Sequence, residues 1–445
     1  MNTQHYKIYL QTFGCQMNVA DSEYVASLLI TSGNFQITNQ LNKADVIIIN
    51  TCSVRQHAED RASSFIGRLK KLKIKNKDLK IIVLGCFAQR AKFELQKKFP
   101  FIDIIAGPLE YEYLPEILQN TFSINISKNS QHLNLFNKVS VFVPIMTGCN
   151  NFCSYCIVPY VRGTEKYRNI KEILSEIKVL LDKGVKEIIL IGQNVNSYKS
   201  PNLDHELTTE ATNQNINFAQ LLEMIVNLYS SYKFWIRFLT NHPKDISYDI
   251  IKVIKDYSNI SRHIHLPLQS GSNRILQLMN RNYTVEKYKE IIQMIRQEIP
   301  EISITTDLIV GFPTEKEEDF ESTLQIVKEL QFDSAFVFKY SPRKGTKAAE
   351  LLDNVPKEVK EKRHFKLLKL CEEISYKKNL KYIGTTQEVL IELQKDKNTF
   401  IGKNITNKTI QITINDNSKS NINIGKFITT KICDIKNHLL ISKLS

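Results

Sequence analysis

The 445-residue chain is longer than one hydrophobic core comfortably serves, so two or three domains are expected. Its 42% hydrophobic and 24% charged residues are ordinary for a globular protein, and no apolar run approaches the ~20 residues that span a bilayer. A net charge of +14 points to a polyanionic partner, and the stretch 376–445 concentrates it, with 12 lysines against five acidic residues. The opening "MNTQHYKIYLQTFGC" has no apolar core or small-residue cleavage site, so no secretory signal is expected. The eight cysteines are then expected to be cytoplasmic and reduced, serving metal binding or catalysis rather than disulfides.

Three strand candidates open the chain and each runs into a cysteine: "YKIYLQTFGC" into Cys15, "ADVIIINTC" into Cys52 and "LKIIVLGC" into Cys86. Intervals of 37 and 34 residues suit one βαβ unit each, so 4–122 is expected to be an open α/β sheet domain. In such sheets the carboxyl edge of the strands forms the ligand crevice. A single cysteine there is more often a small buried hydrophobe. Three at equivalent positions point to a shared thiolate site. The glycines beside Cys15 and Cys86 make no G-x-G-x-x-G fingerprint, so dinucleotide binding is not expected.

Further along, the apolar runs "SVFVPIM", "EIILIG", "FWIRFL", "HIHLPL", "ISITTDLIVG" and "AFVFKY" alternate with amphipathic stretches such as 170–181, 218–229 and 285–299. Six such units from about residue 140 to 340 imply parallel strands with helical crossovers, in either an open sheet or a partial barrel, within a middle domain expected at 135–372. The polar segment 199–217 reads as a surface loop. "NVPKEVKEKRHFKLLKLCEEISYKKNLKY" has helical periodicity, with Asn354 as its start signal and Pro356 in the first turn. It would connect the core to a last domain, 373–445, whose runs "QEVLIEL", "IQITI" and "FITTKICDI" suggest a small antiparallel β-barrel.

The stretch "GCNNFCSYCIVPYVRG" holds Cys149, Cys153 and Cys156 in a C-x3-C-x2-C triplet with no fourth ligand nearby. Structural zinc prefers four protein ligands in paired C-x2-C units, so zinc fits badly. An iron–sulfur cube fits better, because three thiolates can hold three irons and leave the fourth open.

This stretch resembles the cluster loop of radical S-adenosylmethionine enzymes. "TFGCQMNVADSE", "NTCSVRQHAEDR", "GCFAQR", "GQNVNSY", "HLPLQSGS", "TTDLIVGFPTE" and "YSPRKGTKAA" resemble the methylthiotransferase branch of that superfamily over nearly the whole chain. The resemblance implies a partial (βα)6 barrel for the middle domain and an RNA-binding TRAM barrel at the end. It implies two [4Fe-4S] clusters, one on Cys149, Cys153 and Cys156 and an auxiliary one on Cys15, Cys52 and Cys86. S-adenosylmethionine would complete the first cluster, be cleaved by one electron, and in a second copy donate the methyl group. Within the branch the motifs are most similar to those acting on N6-dimethylallyladenosine of tRNA, next to the anticodon. The implied partners are tRNA, a low-potential electron donor such as a ferredoxin or flavodoxin, and iron–sulfur or sulfur delivery proteins. No membrane is implied.

Tyr155 would lie near the cofactor's adenine. Gln193, Ile309 and Gly311 occupy cofactor-binding positions of the superfamily, although its usual Gly-Gly-Glu appears here as Gly192-Gln193-Asn194 and Glu315 falls one residue late. Arg162, Glu165 and Arg168 match the loop after the cluster and are expected near cofactor or substrate. His263, His265 and Trp235 are expected to be structural, and Cys371 and Cys433 buried non-ligands. Threonylcarbamoyladenosine in tRNA, or an aspartate of a ribosomal protein, remains an alternative substrate. An iron–sulfur electron carrier and a zinc-stabilised RNA-binding protein are the non-catalytic alternatives.

Overall fold

A computed structural model of the chain describes residues 6–31, 35–54, 56–123, 138–200, 215–414, 422–436 and 438–444. By internal contacts the chain divides into two compact units. The first comprises residues 1–137, 142–152 and 156–166; the second comprises 138–141, 153–155 and 167–445.

In the first unit, β1 (Tyr6–Thr12), β2 (Phe35–Ile37), β3 (Val46–Thr51), β4 (Lys80–Gly85) and β5 (Ile104–Ala106) form one parallel sheet in the order β2-β1-β3-β4-β5. Helices Gln16–Thr31 and Gln56–Lys75 supply crossovers. β3 and β4 are near-continuous apolar runs because both faces of the sheet are covered. The pleat divides their side chains: Ile47, Ile49, Ile81 and Val83 enter one core cluster, while Val46, Ile48, Ile82 and Leu84 enter the other. Strand order reverses between β1 and β3. At such a switch point doubly wound sheets open a crevice beyond the carboxyl ends of their strands.

The six expected core runs are realised as β6 (Ser140–Pro144), β9 (Glu187–Ile191), β10 (Trp235–Phe238), β11 (His263–His265), β12 (Ser303–Val310) and β13 (Ser334–Lys339). The two-residue strands β7 (Met146–Thr147) and β8 (Lys166–Tyr167) pair with each other. The core strands lie in chain order, as β10-β9-β6 and β11-β12-β13, and the parallel bridge Ile236↔Ile260 links the two sheets. Two mononucleotide-binding halves would reverse that order midway. The unreversed order is that of a partial barrel. Side-chain oxygens of Asn169, Asn217, Ser247 and Thr284 cap the starts of four core helices, which fixes where those crossovers begin. The ends of the polar loop meet in an antiparallel bridge, Lys199↔Asn217, while 201–214 lie outside the described residues.

The connecting helix spans Lys357–Asn379 with Pro356 at its cap position. Asn354 does not cap it; its side chain accepts a hydrogen bond from Thr314 N at 2.9 Å. Beyond it, β14 (Thr386–Asp396), β15 (Thr399–Asn404), β16 (Thr409–Ile414), β17 (Phe427–Lys436) and β18 (Leu439–Leu444) close into a barrel, in the order β14-β15-β16-β18-β17. The barrel is mixed rather than wholly antiparallel, because β16 and β18 pair in parallel. That pairing closes the ladder and leaves no open edge. Cys371 is buried as expected, but Cys433 is exposed. Alternation along β17 turns Ile432 inward and Cys433 outward.

A buried arginine anchors the barrel to the core. Arg237 pairs with Glu187, donates to Ser261 Oγ at 2.7 Å and reaches Asn404 O of the barrel at 2.7 Å. Arg262 N also donates to Ile405 O at 3.0 Å, and Trp235 meets Phe427 edge-on at 4.9 Å. These core residues lie at the start of β9, within β10 and just before β11. Arg237→Ala leaves the Glu187 carboxylate buried without its cation. The expected loss is roughly 3–5 kcal/mol in urea unfolding, and a loss below about 1 kcal/mol would contradict the anchoring role.

Candidate functional site

The three amino-terminal cysteines sit just beyond β1, β3 and β4 on the crevice edge of the first unit. Glycine permits their turns to close. Gly14 has φ +140° and Gly85 φ +100°; a Cβ at Gly14 would stand 2.4 Å from Cys52 Cβ, and one at Gly85 2.2 Å from Thr51 O. Asn18 ties two of the turns together, with Nδ2 donating to Asn50 Oδ1 at 2.9 Å while Oδ1 accepts from Cys15 N at 3.3 Å. Cys15 and Cys52 share a hydrogen bond that pulls the Cys15 thiol down to about 6, and the same bond, aided by burial, pushes Cys52 up. Burial raises the Cys86 thiol against the pull of Arg162.

Arg162 is 4% exposed; its Nε donates to Cys86 Sγ at 3.3 Å and its Nη2 to Asp21 Oδ2 at 2.6 Å. The buried Tyr111 hydroxyl, raised by burial and next by Asp21, donates no hydrogen bond. Among the described residues, no three His, Cys, Asp or Glu side chains are already gathered as a metal-binding set. The edge instead offers three thiols on neighbouring turns, a buried cation and an unused hydroxyl donor. A thiolate-held iron–sulfur group with acceptor sulfurs suits that donor set.

The central cysteine loop divides between the units, with Cys149 and Cys156 in the first and Cys153 in the second. In the first, Cys149 N donates to Gly163 O at 3.1 Å and Asn151 Nδ2 approaches Cys149 Sγ at 3.5 Å. In the second, Arg281 Nη1 donates to Cys153 Sγ at 3.4 Å, and its Nη2 donates to Pro267 O at 2.8 Å. Ser154 is held by Leu278 O through its hydroxyl at 2.7 Å and by Met279 O through its amide at 2.9 Å. Each cysteine triad thus has one member hydrogen-bonded by a buried guanidinium.

Of the sequence-derived cofactor residues, Tyr155 and Ile309 pack on one apolar cluster formed by Ile275, Met279, Phe312, Tyr340 and Ala348. Gly311 N donates to Glu315 Oε2 at 2.7 Å, and the same oxygen accepts from Arg363 Nη1 at 2.8 Å. Burial nevertheless pushes the Glu315 carboxyl up. Lys360 lies across Gly311, its Cγ 2.3 Å from where a Cβ would stand. Gln193 is half-buried after β9.

The turns after β9 and β10 carry a feature that sequence reading did not isolate. Asn194 Oδ1, both amide atoms of Asn196, Asn241 Oδ1 and His242 Nε2 are buried without hydrogen-bond partners. Val195 N donates to Thr240 O at 3.1 Å, which joins the two turns. Asn194 is otherwise fixed by Asp245, Asn241 by His265 O, and His242 Nδ1 accepts from Lys244 N. Burial, then Arg281 and Lys244, push His242 down to about 2, so the ring is neutral and Nε2 carries its proton. Buried polar atoms need partners, so this edge suits a polar ligand. The signal available was the polar "TNHP" directly after an apolar strand.

The remaining candidates separate. Arg168 pairs with Glu176 at 2.7 Å and Glu165 Oε1 accepts from Asn150 N at 3.4 Å, both local contacts, whereas Arg162 reaches a candidate ligand. His263 and His265 both meet Thr305 Oγ1 at 2.9 Å, as structural histidines should. No helix among the described residues is long and apolar enough to cross a membrane.

Residues 143–327 match the Radical SAM superfamily, and 7–107 match the uncharacterized protein family UPF0004. A protein of Thermodesulfovibrio yellowstonii named tRNA-2-methylthio-N(6)-dimethylallyladenosine synthase is 44% identical over 441 residues, covering 97% of each chain. A protein of the same name from Caldicellulosiruptor saccharolyticus is 43% identical, covering 99% of this chain and 94% of its own. Among solved structures, the radical S-adenosylmethionine methyltransferase TsrM of Kitasatospora setae, with cobalamin and a [4Fe-4S] cluster bound, superposes with a TM-score of 0.56. At 10% identity, covering 78% of this chain and 77% of that one, it supports the fold alone.

Proposed function

The chain belongs to the radical S-adenosylmethionine methylthiotransferases, and on that footing we propose that it methylthiolates N6-dimethylallyladenosine in tRNA, next to the anticodon. The observation that carries this reading is the amino-terminal thiol edge, since reductive cleavage of S-adenosylmethionine by itself needs no second triad. Cys149, Cys153 and Cys156 would hold one [4Fe-4S] cluster, and Cys15, Cys52 and Cys86 the other. When bound, these groups and two S-adenosylmethionine molecules supply the electron, the sulfur and the methyl group.

The chain's own residues bind and orient. Tyr155 and Ile309 would give the adenine of S-adenosylmethionine an apolar wall, with Gly311 and Gln193 beside it. The unpaired atoms of Asn194, Asn196, Asn241 and His242 would meet the polar groups of cofactor and base. Burial of this edge keeps water from the reacting centre, which reactive intermediates require. The reaction would run in the cytoplasm, with a ferredoxin or flavodoxin as electron donor and a sulfur-delivery protein restoring the transferred atom.

The test is anaerobic reconstitution followed by nucleoside analysis of two tRNAs. tRNA carrying N6-dimethylallyladenosine should yield its 2-methylthio derivative, while tRNA carrying threonylcarbamoyladenosine should stay unchanged. The reverse pattern would overturn the substrate assignment.

A further inference from the structure

The Arg162–Asp21 pair lies in the first unit, and its neighbours are the candidate ligands of the auxiliary cluster. Arg162 follows Cys156 by six residues, on the short helix Val158–Arg162, so the loop that carries one triad supplies a cation to the other. Its guanidinium is divided, with Nε on Cys86 Sγ at 3.3 Å and Nη2 on Asp21 Oδ2 at 2.6 Å. Both partners are held away from water, Arg162 at 4% and Asp21 at 8% exposure. The Tyr111 hydroxyl, which donates no hydrogen bond, is buried in the same charged surroundings. A guanidinium carries five N–H donors, so beyond the carboxylate it has N–H groups left to give the sulfur. Here one nitrogen of the fork is withheld from the carboxylate and given to the cysteine.

We propose that Arg162 is a positioning residue that sets the reduction potential of the cluster on Cys15, Cys52 and Cys86, with Asp21 as its opposing charge. The proposal rests on the assignment of that triad as a cluster site. One-electron reduction adds a negative charge to the cluster, and a cation hydrogen-bonded to a ligand sulfur stabilises the reduced form. Asp21 holds the guanidinium in place and offsets part of its field. The same contact recurs independently in the second unit, where buried Arg281 donates to Cys153.

The opposite charges of the pair make the idea testable by sign. The full-length protein carrying Cys149→Ala, Cys153→Ala and Cys156→Ala leaves one candidate cluster site, expected to hold about four irons after reconstitution. In that background, Arg162→Gln, Arg162→Lys and Asp21→Asn are titrated with redox mediators and followed by electron paramagnetic resonance. Arg162→Gln should shift the midpoint to more negative potential, Asp21→Asn to more positive, and Arg162→Lys should fall between Arg162→Gln and the parent. A purely structural role would not move the two neutral variants in opposite directions.

Unchanged midpoints with iron retained, or shifts of one sign in both, would overturn the proposal. Should Arg162→Gln lose its iron, Asp21→Asn keeps the guanidinium and decides by the sign of its shift. If the parent background itself binds no iron, the cluster assignment fails and the charge proposal falls with it. Those two failures are distinguishable in the iron analysis.

Discussion

Cys153→Ala protein, reconstituted without oxygen, should form no 5′-deoxyadenosine, whereas Cys52→Ala protein should form it and yet leave tRNA without a methylthio group. The two cysteines stand in different units, so their losses should separate the two halves of the reaction. Cys153 receives Arg281 in the second unit, and its removal would strip one of three thiolates from the cluster proposed to deliver the electron. Cys52 lies against Gly14 and beside the Cys15 thiol on the sheet edge, where the sulfur to be attached would reside. Each variant should carry about four irons against about eight in the parent, because a cube rarely survives loss of a protein ligand. Both products are quantified side by side by mass spectrometry. Wild-type yields of methylthiolated nucleoside from Cys52→Ala would sink the role given to the amino-terminal triad.

The second large effect concerns salt. Lys395, Lys397, Lys431 and Lys436 are exposed on β14, its hairpin turn and β17. Changing all four to Gln should weaken tRNA binding without disturbing the barrel core, since none of them enters it. Each lost phosphate contact flattens the slope of log K against log salt by about 0.7–0.9, so four lower it by about 3. Between 1 M and 0.1 M salt that difference amounts to about three orders of magnitude in affinity. Cleavage of S-adenosylmethionine in the absence of RNA should be unaffected. Deleting the barrel is a poorer experiment, because it strips Arg237 and Trp235 of their cover. An unchanged slope in the four-lysine variant would refute RNA binding through this face.

The parts of the fold that were legible in the sequence are those written locally. Three apolar runs that each end at a cysteine foretell parallel strands with thiols at one edge, because strand direction and side-chain period are short-range properties. The six core runs were visible for the same reason, but their closure was not. Whether six strands reverse or continue depends on long-range pairing such as Ile236 with Ile260. The parallel contact of β16 with β18 was hidden likewise. Site chemistry followed the same division. Arg281 lies 128 residues from the cysteine it touches, and nothing near either one signals the contact. Asn241 and His242 are marked in the sequence only by the polar "TNHP" after an apolar strand, and that folding leaves one polar atom of each buried and unpaired is not visible there. The exposed Cys433 shows the reverse error, since a cysteine in an apolar run was expected inside and strand parity put it outside.

The helix Lys357–Asn379 is one continuous rod of 23 residues, about 35 Å long at 1.5 Å per residue. Near its start, Lys360 covers Gly311 and Arg363 grips Glu315, the residues that shape the turn assigned to the cofactor's adenine. At its far end the chain passes through Leu380–Tyr382 into the barrel, where the Tyr382 hydroxyl meets Thr406 at 2.9 Å. A stiff shaft therefore ties the turn proposed for the cofactor to the barrel proposed to bind RNA. Linkage then imposes a symmetry on the two affinities. Whatever factor tRNA applies to the binding of S-adenosylmethionine, S-adenosylmethionine must return to tRNA. If the shaft transmits nothing, both factors are one.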